Sequence, residues 1–546
     1  MDEPLTPAGA DTRVVLEENR RLSESMIWGL QRNFFDRRSF NAWVEGVLPH
    51  YVTSNPFIAN AYARTVFGFL RDCQAVARGR KNAGFPPLDP DQPVYVVELG
   101  SGTGRFAFHF LKKLLDLKNS SALKNRLVKY VMTDLAERNV EFWSSHPALR
   151  PFVEEGVLDF ARFDLERDEE IRLSHSGETL TAESFKNPLV LIANYVFDSI
   201  PQDLFYFEGG ELHECLVTLS SAQEDLNPDD PEFFRRVQVS YEHYAASPEY
   251  YDDPELNRIL QEYRQRLAGT TIPFPCAALR CLRRLARLAR GRMLLLSADK
   301  GYVGEETLLH TGQPELSIHG SFSMMVNYHA IGRYFENQGG HVLHTPHRYN
   351  SLNISAYLLG PHPSGYAETR QAFVETIENC GPDDFFTLTK GVAKNYDALT
   401  LEQLLALLRL SAWDAKIFNE AFPSILNRVE SAPPPLKEEV YSAIQKVWDN
   451  YYHIGEEGDI AFNMAMLLYG MQYYPEALEY FGRSLQLWGA DPSTLYNMAM
   501  CHYGLSELDV ALECIERTLE LDSTFEEAKA MRIKFQAEIE RHARQT

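Results

Sequence analysis

Two hydrophobic rhythms divide this chain: short β-branched or leucine-rich runs up to about residue 360, and apolar residues at helical spacing from about residue 400 onward. The first run, Val94-Tyr-Val-Val-Glu98-Leu-Gly100-Ser101-Gly102-Thr103-Gly104, predicts a buried strand that stops at Gly100 and turns tightly into a helix. Lys129–Asp134, Val157–Asp164, Pro188–Ala193 and Arg292–Ala298 predict four more strands, the last leaving by a turn at Asp299–Tyr302, and residues 341–360 suit a closing antiparallel pair. Together they predict an α/β fold, a doubly wound sheet of the Rossmann type. Residues 220–270 are acidic, contain prolines and are partly helical, which predicts an insertion reaching to about 290 and capping the substrate side.

The second rhythm repeats itself. Asn463–Gly470 recurs as Asn497–Gly504, and Ala477–Phe481 recurs as Ala511–Ile515, each at an offset of 34 residues. That is the period of a tetratricopeptide repeat, in which small residues let two antiparallel helices pack closely. Residues 525–542 read as a closing helix. Two repeats are few for a solenoid, so Leu401–Leu410 and Lys437–Tyr451 are expected to extend the stack, joined by an Ala432–Leu436 linker. The reading as a protein-docking surface stands beside a purely stabilising one.

Composition narrows the classes. At 546 residues the chain exceeds one core, and 45% apolar residues supply packed interiors. A net charge of −23 argues against a general nucleic-acid binder. Leu279–Arg290 carries a leucine stripe and an arginine face, read as a helix packing on the sheet rather than a membrane or nucleic-acid surface. Seven scattered cysteines without a C-x-x-C pair predict a reducing compartment and no metal site. With no signal peptide and no membrane-spanning run visible, the expectation is a cytoplasmic protein.

The chemistry gathers at predicted strand ends. The spacing E-x-G-x-G-x-G differs from a dinucleotide fingerprint, where a carboxylate would repel the pyrophosphate. Glu98 suits an ammonium-bearing ligand such as the methionine part of S-adenosyl-L-methionine, with Gly100, Ser101, Gly102, Thr103 and Gly104 bringing backbone close. A structural strand-to-helix turn is the bland alternative. Asp134 is the expected ribose ligand, Asp164 and the Leu165 backbone would face the adenine edge, and Asn194 joins the same site.

These residues carry a family resemblance. Over most of the first 360 residues the chain resembles the MidA family of methyltransferases, related to mitochondrial complex I assembly factors. Besides the glycine loop, Asn194-Tyr-Val-Phe-Asp198-Ser-Ile-Pro201 and Tyr51-Val-Thr53-Ser54-Asn-Pro56 are similar to family segments, and His319–Tyr328 occupies the place of a late one. The resemblance implies a methyltransferase core, and the mitochondrial relative implies arginine methylation. Tyr195 stands where the family carries glutamate, and Asn55-Pro56-Phe57 lacks another, leaving Asp198 as the single carboxylate for a guanidinium.

Asp198, Tyr195 and His319 are the candidates for orienting the acceptor or taking its proton, with helix capping, adenine packing and a structural role as their respective alternatives. The expected organisation is an N-terminal helical part over 1–90, a methyltransferase core over 91–365, a helical connection over 366–455 and repeats over 456–546. Three functions remain open: a protein methyltransferase with a recruiting repeat module, a small-molecule methyltransferase with structural repeats, and a cofactor-binding scaffold.

Overall fold

The computed structural model describes residues 13–44, 51–75, 88–222, 233–309, 311–318, 321–346, 352–360, 366–456 and 458–545. The chain divides into two compact units, Met1–Asp384 and Phe385–Thr546.

The first unit is built on a seven-stranded sheet. Its strands are β2 (Val94–Leu99), β3 (Val128–Asp134), β4 (Leu158–Arg162), β5 (Leu189–Asn194), β10 (Met293–Asp299), β11 (His341–His344) and β12 (Asn353–Leu359), in the order β11-β12-β10-β5-β2-β3-β4. From β10 to β4 every pairing is parallel, and β12 pairs antiparallel with both β10 and β11. All six residues of β2 and all seven of β10 are buried. The apolar runs that lead into their polar carboxyl ends are what a central strand with both faces covered requires. Helices α2 (Pro56–Ala75), α3 (Arg105–Asn119), α4 (Glu137–Ser145), α6 (Cys276–Leu288) and α7 (Tyr328–Asn337) belong to the same unit. In α6, Leu279, Leu282 and Leu285 are buried in the main core, as the leucine stripe predicts.

A second sheet was not foreseen. The stretch read as an acidic, partly helical insertion contains a helix, α5 (Pro254–Arg266), as read, but it also supplies strands to an antiparallel sheet. The sheet is built from β6 (Asp203–Glu208), β7 (Glu211–Ser221), β8 (Val237–Ala245) and β9 (Thr270–Phe274). The N-terminal part read as helical holds helices but also contains another strand of this sheet, β1 (Val14–Arg21), paired with β7. Helix α1 (Met26–Arg38) follows, its Ser25 cap accepting from the Ile27 N–H. Trp28 and Ile27 pack beneath the sheet against Leu204, Val217 and Phe322.

The second unit is helical. Its last five helices are Ile460–Gly470, Tyr474–Trp488, Pro492–Gly504, Leu508–Leu521 and Glu526–Gln545. The 34-residue offset recurs in the packing, for Ala465 and Ala499, and Ala477 and Ala511, are all wholly buried. The proline run read as a linker instead opens a helix, Pro434–Asp449, because proline costs nothing at a first turn that has no N–H partner. Among the described residues no helix is long and apolar enough to cross a membrane.

Candidate functional site

At the carboxyl ends of β2, β3, β5 and β10 lie two adjoining hollows that share Phe35, Gly100, Tyr195 and Ser199. Glu98, Ser101, Gly102, Thr103, Asn194 and Asp198 line one of them, together with Lys300. Asp134, Asp164 and Leu165 line the other. The structure therefore brings together nearly all the residues singled out from the sequence. Gly104 lines neither hollow and serves as the N-cap of α3 at φ 81°. His319 lies outside the described residues.

The glycine turn has the conformation its sequence demands. Gly100 and Gly102 have φ of 68° and 53°, where a Cβ is strained. A Cβ on Gly100 would also stand 2.9 Å from Val196 Cγ2. The Trp143 indole donates to the Gly102 carbonyl at 2.9 Å, and Asp134 Oδ2 accepts the Gly102 N–H at 3.1 Å, so the loop is pinned from two sides.

Glu98 is buried beneath this turn and accepts the Ser101 hydroxyl at 2.7 Å. Burial pushes its carboxyl up to about 7; the Ser101 hydrogen bond and the Tyr130 phenol pull the other way. In the same hollow Asn194 accepts the Tyr62 hydroxyl at 2.9 Å, while its Nδ2 is buried without an acceptor. A buried carboxylate and an orphaned donor facing one hollow suit a zwitterionic ligand, whose ammonium and carboxylate would satisfy both. Asp134 ends β3 with its oxygens on the N–H groups of Gly102 and Ala136; burial raises it, and those bonds oppose the rise.

Asp164 lines the second hollow, but its carboxylate is already engaged. Arg32 of α1 forks onto Asp164 and onto Glu166, the latter at 3.0 Å, and the Leu165 carbonyl accepts from Arg284. The expected adenine edge is thus held by a guanidinium that sequence reasoning missed. Trp28, Gln31 and Phe35 come from the same helix. Nothing in their spacing relates them to strands beginning more than fifty residues later.

Tyr195 is held at φ 53°, a conformation rare for a bulky side chain, with its N–H on the Ala298 carbonyl at 2.9 Å. Three residues on, Asp198 accepts the Ser199 hydroxyl at 2.7 Å. Behind it stands Asp299, read from the sequence only as part of an exit turn. Its position at a strand's carboxyl end, like Glu98 and Asp134, was the available signal.

The family model described as "Putative S-adenosyl-L-methionine-dependent methyltransferase" matches residues 82–356, just over half of the chain. No curated protein matches the chain. Among solved structures it is similar to a Burkholderia thailandensis protein bound to S-adenosyl-homocysteine, at 15% identity over 63% of this chain and 95% of that one, with a TM-score of 0.35. An uncharacterized protein of the same superfamily and organism gives 15% identity, the same coverage and a TM-score of 0.34. Magnesium protoporphyrin IX methyltransferase from Synechocystis PCC 6803, with bound S-adenosyl-homocysteine, gives 12% identity over 61% of this chain and 99% of that one, with a TM-score of 0.27. Likenesses this distant say nothing of this chain's substrate.

Proposed function

Since the chain belongs to the S-adenosyl-L-methionine-dependent methyltransferase family, we propose that it methylates a protein substrate, recruited by its C-terminal helices. The cofactor is S-adenosyl-L-methionine, which supplies a methyl group activated on a sulfonium. The observation that carries the site assignment is the pairing of buried Glu98 with the orphaned Asn194 amide in one hollow. Glu98 would take the ammonium, the Asn194 amide and the Gly100–Gly104 backbone the carboxylate end, and Asp134 the ribose hydroxyls. Asp164 and Leu165 would border the adenine, with α1 covering it. Asp198 and Tyr195 would orient the acceptor, and His319 is retained as a third candidate.

We read the core as MidA-like and the last five helices as two tetratricopeptide repeats with a closing helix. The 34-residue register of buried alanines supports that reading. The boundaries 1–90, 91–365, 366–455 and 456–546 belong to the same proposal. Methyl transfer between a sulfonium and a nucleophile needs alignment and exclusion of water more than covalent help. A site at strand ends lined by Phe35 and Tyr195 serves both needs.

The test is transfer from methyl-labelled S-adenosyl-L-methionine into fractionated lysate of the source cells, comparing the intact protein, Asp198→Ala and a variant lacking residues 385–546. Label in a protein band, lost in both variants while S-adenosyl-homocysteine binding persists, is the expected result. Label only among small molecules would refute the protein substrate. Transfer to a protein undiminished without residues 385–546 would refute their recruiting role.

A further inference from the structure

We propose that the arginine face of α6 is a second binding site, for a phosphate group carrying two negative charges, either free or borne on a residue of the protein substrate. The leucines of α6 are buried in the core, while Arg280, Arg283, Arg284 and Arg287 recur at i, i+3, i+4 and i+7 and so share one face of the helix. That face walls a hollow of about 610 Å³, lined also by Arg21, Glu169 and the segment Tyr250–Asp253. Its size falls within the range of small-ligand sites, about 300–1,000 Å³.

Only two of the five arginines in the hollow are answered by acids. Arg21 pairs with Glu214 at 3.2 Å, and Arg283 with Asp253, the N-cap of α5. Arg280 lies over the Tyr251 ring at 5.5 Å. Arg284 gives its Nη2 to a neutral acceptor, the Leu165 carbonyl, and its Nε is buried without any acceptor. Among the described residues no carboxylate pairs with Arg280, Arg284 or Arg287. The remaining acids of the lining, Glu169 and Asp252, are both exposed. Three uncompensated guanidiniums on one helix face repel one another, in a chain whose net charge is −23, and a bound anion removes that cost.

The number of guanidiniums points to the ligand class. One carboxylate matches one guanidinium in a bidentate fork; three guanidiniums are matched by a group with three strong acceptor oxygens and close to two charges, which is a phosphate. The site also adjoins the cofactor hollow, because Leu165, held by Arg284, lines the hollow assigned to adenine. A phosphate that fixes Arg284 steadies that wall and couples the two sites. The coupling and the protein source of the phosphate rest on the methyl-transfer reading above; the site itself does not.

Calorimetry on the full chain at about pH 8, where phosphate is a dianion, tests the site with inorganic phosphate as the probe. Wild type should bind one equivalent, at least about tenfold more tightly than acetate, and the Arg280→Ala/Arg287→Ala double variant about tenfold or more weakly. Both side chains are exposed, so the urea midpoint of the double variant should match wild type. No saturable phosphate binding, or binding undiminished in the double variant, overturns the site. A blocked glycine–phosphoserine–glycine peptide that binds at least as tightly as inorganic phosphate supports a protein source, and a weaker one supports free phosphate; a glycine–glutamate–glycine peptide that equals the phosphopeptide overturns the phosphate class. Saturating phosphate should tighten S-adenosyl-homocysteine binding about fivefold in wild type and not in the double variant, and an unchanged affinity overturns the coupling. Wild type that binds no S-adenosyl-homocysteine at all refutes the methyltransferase reading, while the phosphate titration still judges the site.

Discussion

Replacing Gly100 by alanine tests the turn on which the whole site depends. Two separable costs follow from the geometry. At φ 68° an L-residue pays about 1–2 kcal/mol for the left-handed conformation. The new Cβ would also stand 2.9 Å from Val196 Cγ2, roughly 0.6 Å inside the closest comfortable carbon–carbon contact. Val196 is 6% exposed and β-branched, so it has little room to swing away; relieving such a clash costs about 1–3 kcal/mol.

Together these predict a loss of about 2–5 kcal/mol in urea unfolding of Gly100→Ala. S-adenosyl-homocysteine affinity should fall about tenfold or more as the loop shifts. Val196→Ala alone should cost about 2 kcal/mol. The double variant should recover only the steric part, a favourable coupling of about 1–3 kcal/mol, because truncating Val196 leaves the backbone angle untouched. Gly100→Ala within about 0.5 kcal/mol of wild type would refute the turn geometry, and additive single variants would refute the contact.

The other expectations concern the two ends of the site. Arg32→Ala strips Asp164 and Glu166 of their guanidinium, which should destabilise the first unit by about 1.5–3 kcal/mol and make α1 sensitive to limited proteolysis; unchanged protection would show that the fork does not hold the helix. Glu98 has a folded-state value above its unfolded one, so in the free protein its stabilising contribution is complete below the unfolded value and is lost as pH rises toward about 7. Ammonium binding favours the ionised form, so cofactor affinity should drop about tenfold between about pH 8 and about pH 6, with Glu98→Gln weaker but flat; a flat wild-type profile would remove Glu98 from the ammonium site.

Much of this was legible because buried parallel strands advertise themselves. Val94–Val97 and Leu189–Ala193 are continuous apolar runs, and the acids at or next to strand ends, Glu98 and Asp134, are where an open α/β sheet presents ligands. The second sheet was hidden by its chemistry. In β7 only one face is buried along most of its length, and Glu211, His213 and Glu214 break its alternation near the start. Arg32 and Phe35 had no local signal at all, since their role exists only once α1 lines the pocket beside Asp164. Asp299 was missed for a different reason: it was read as a turn residue, although it ends its strand as Glu98 nearly ends β2. The prolines before Leu436 show the converse error, a breaker taken for a linker when it was a start.

The Gln31 amide is buried and pairs with both backbone groups of Phe322, across 291 residues of sequence. At about 5–20 residues per second, ribosomal synthesis separates these two partners by roughly 15–60 s. Until the later segment emerges, α1 has no backbone to hold its buried amide, and such an amide is costly to leave unmade. The helix that lines the pocket must therefore wait for a segment translated after all five parallel strands and the whole second sheet. Nascent chains stalled before residue 322 should retain no cofactor even though the glycine turn was among the first parts made.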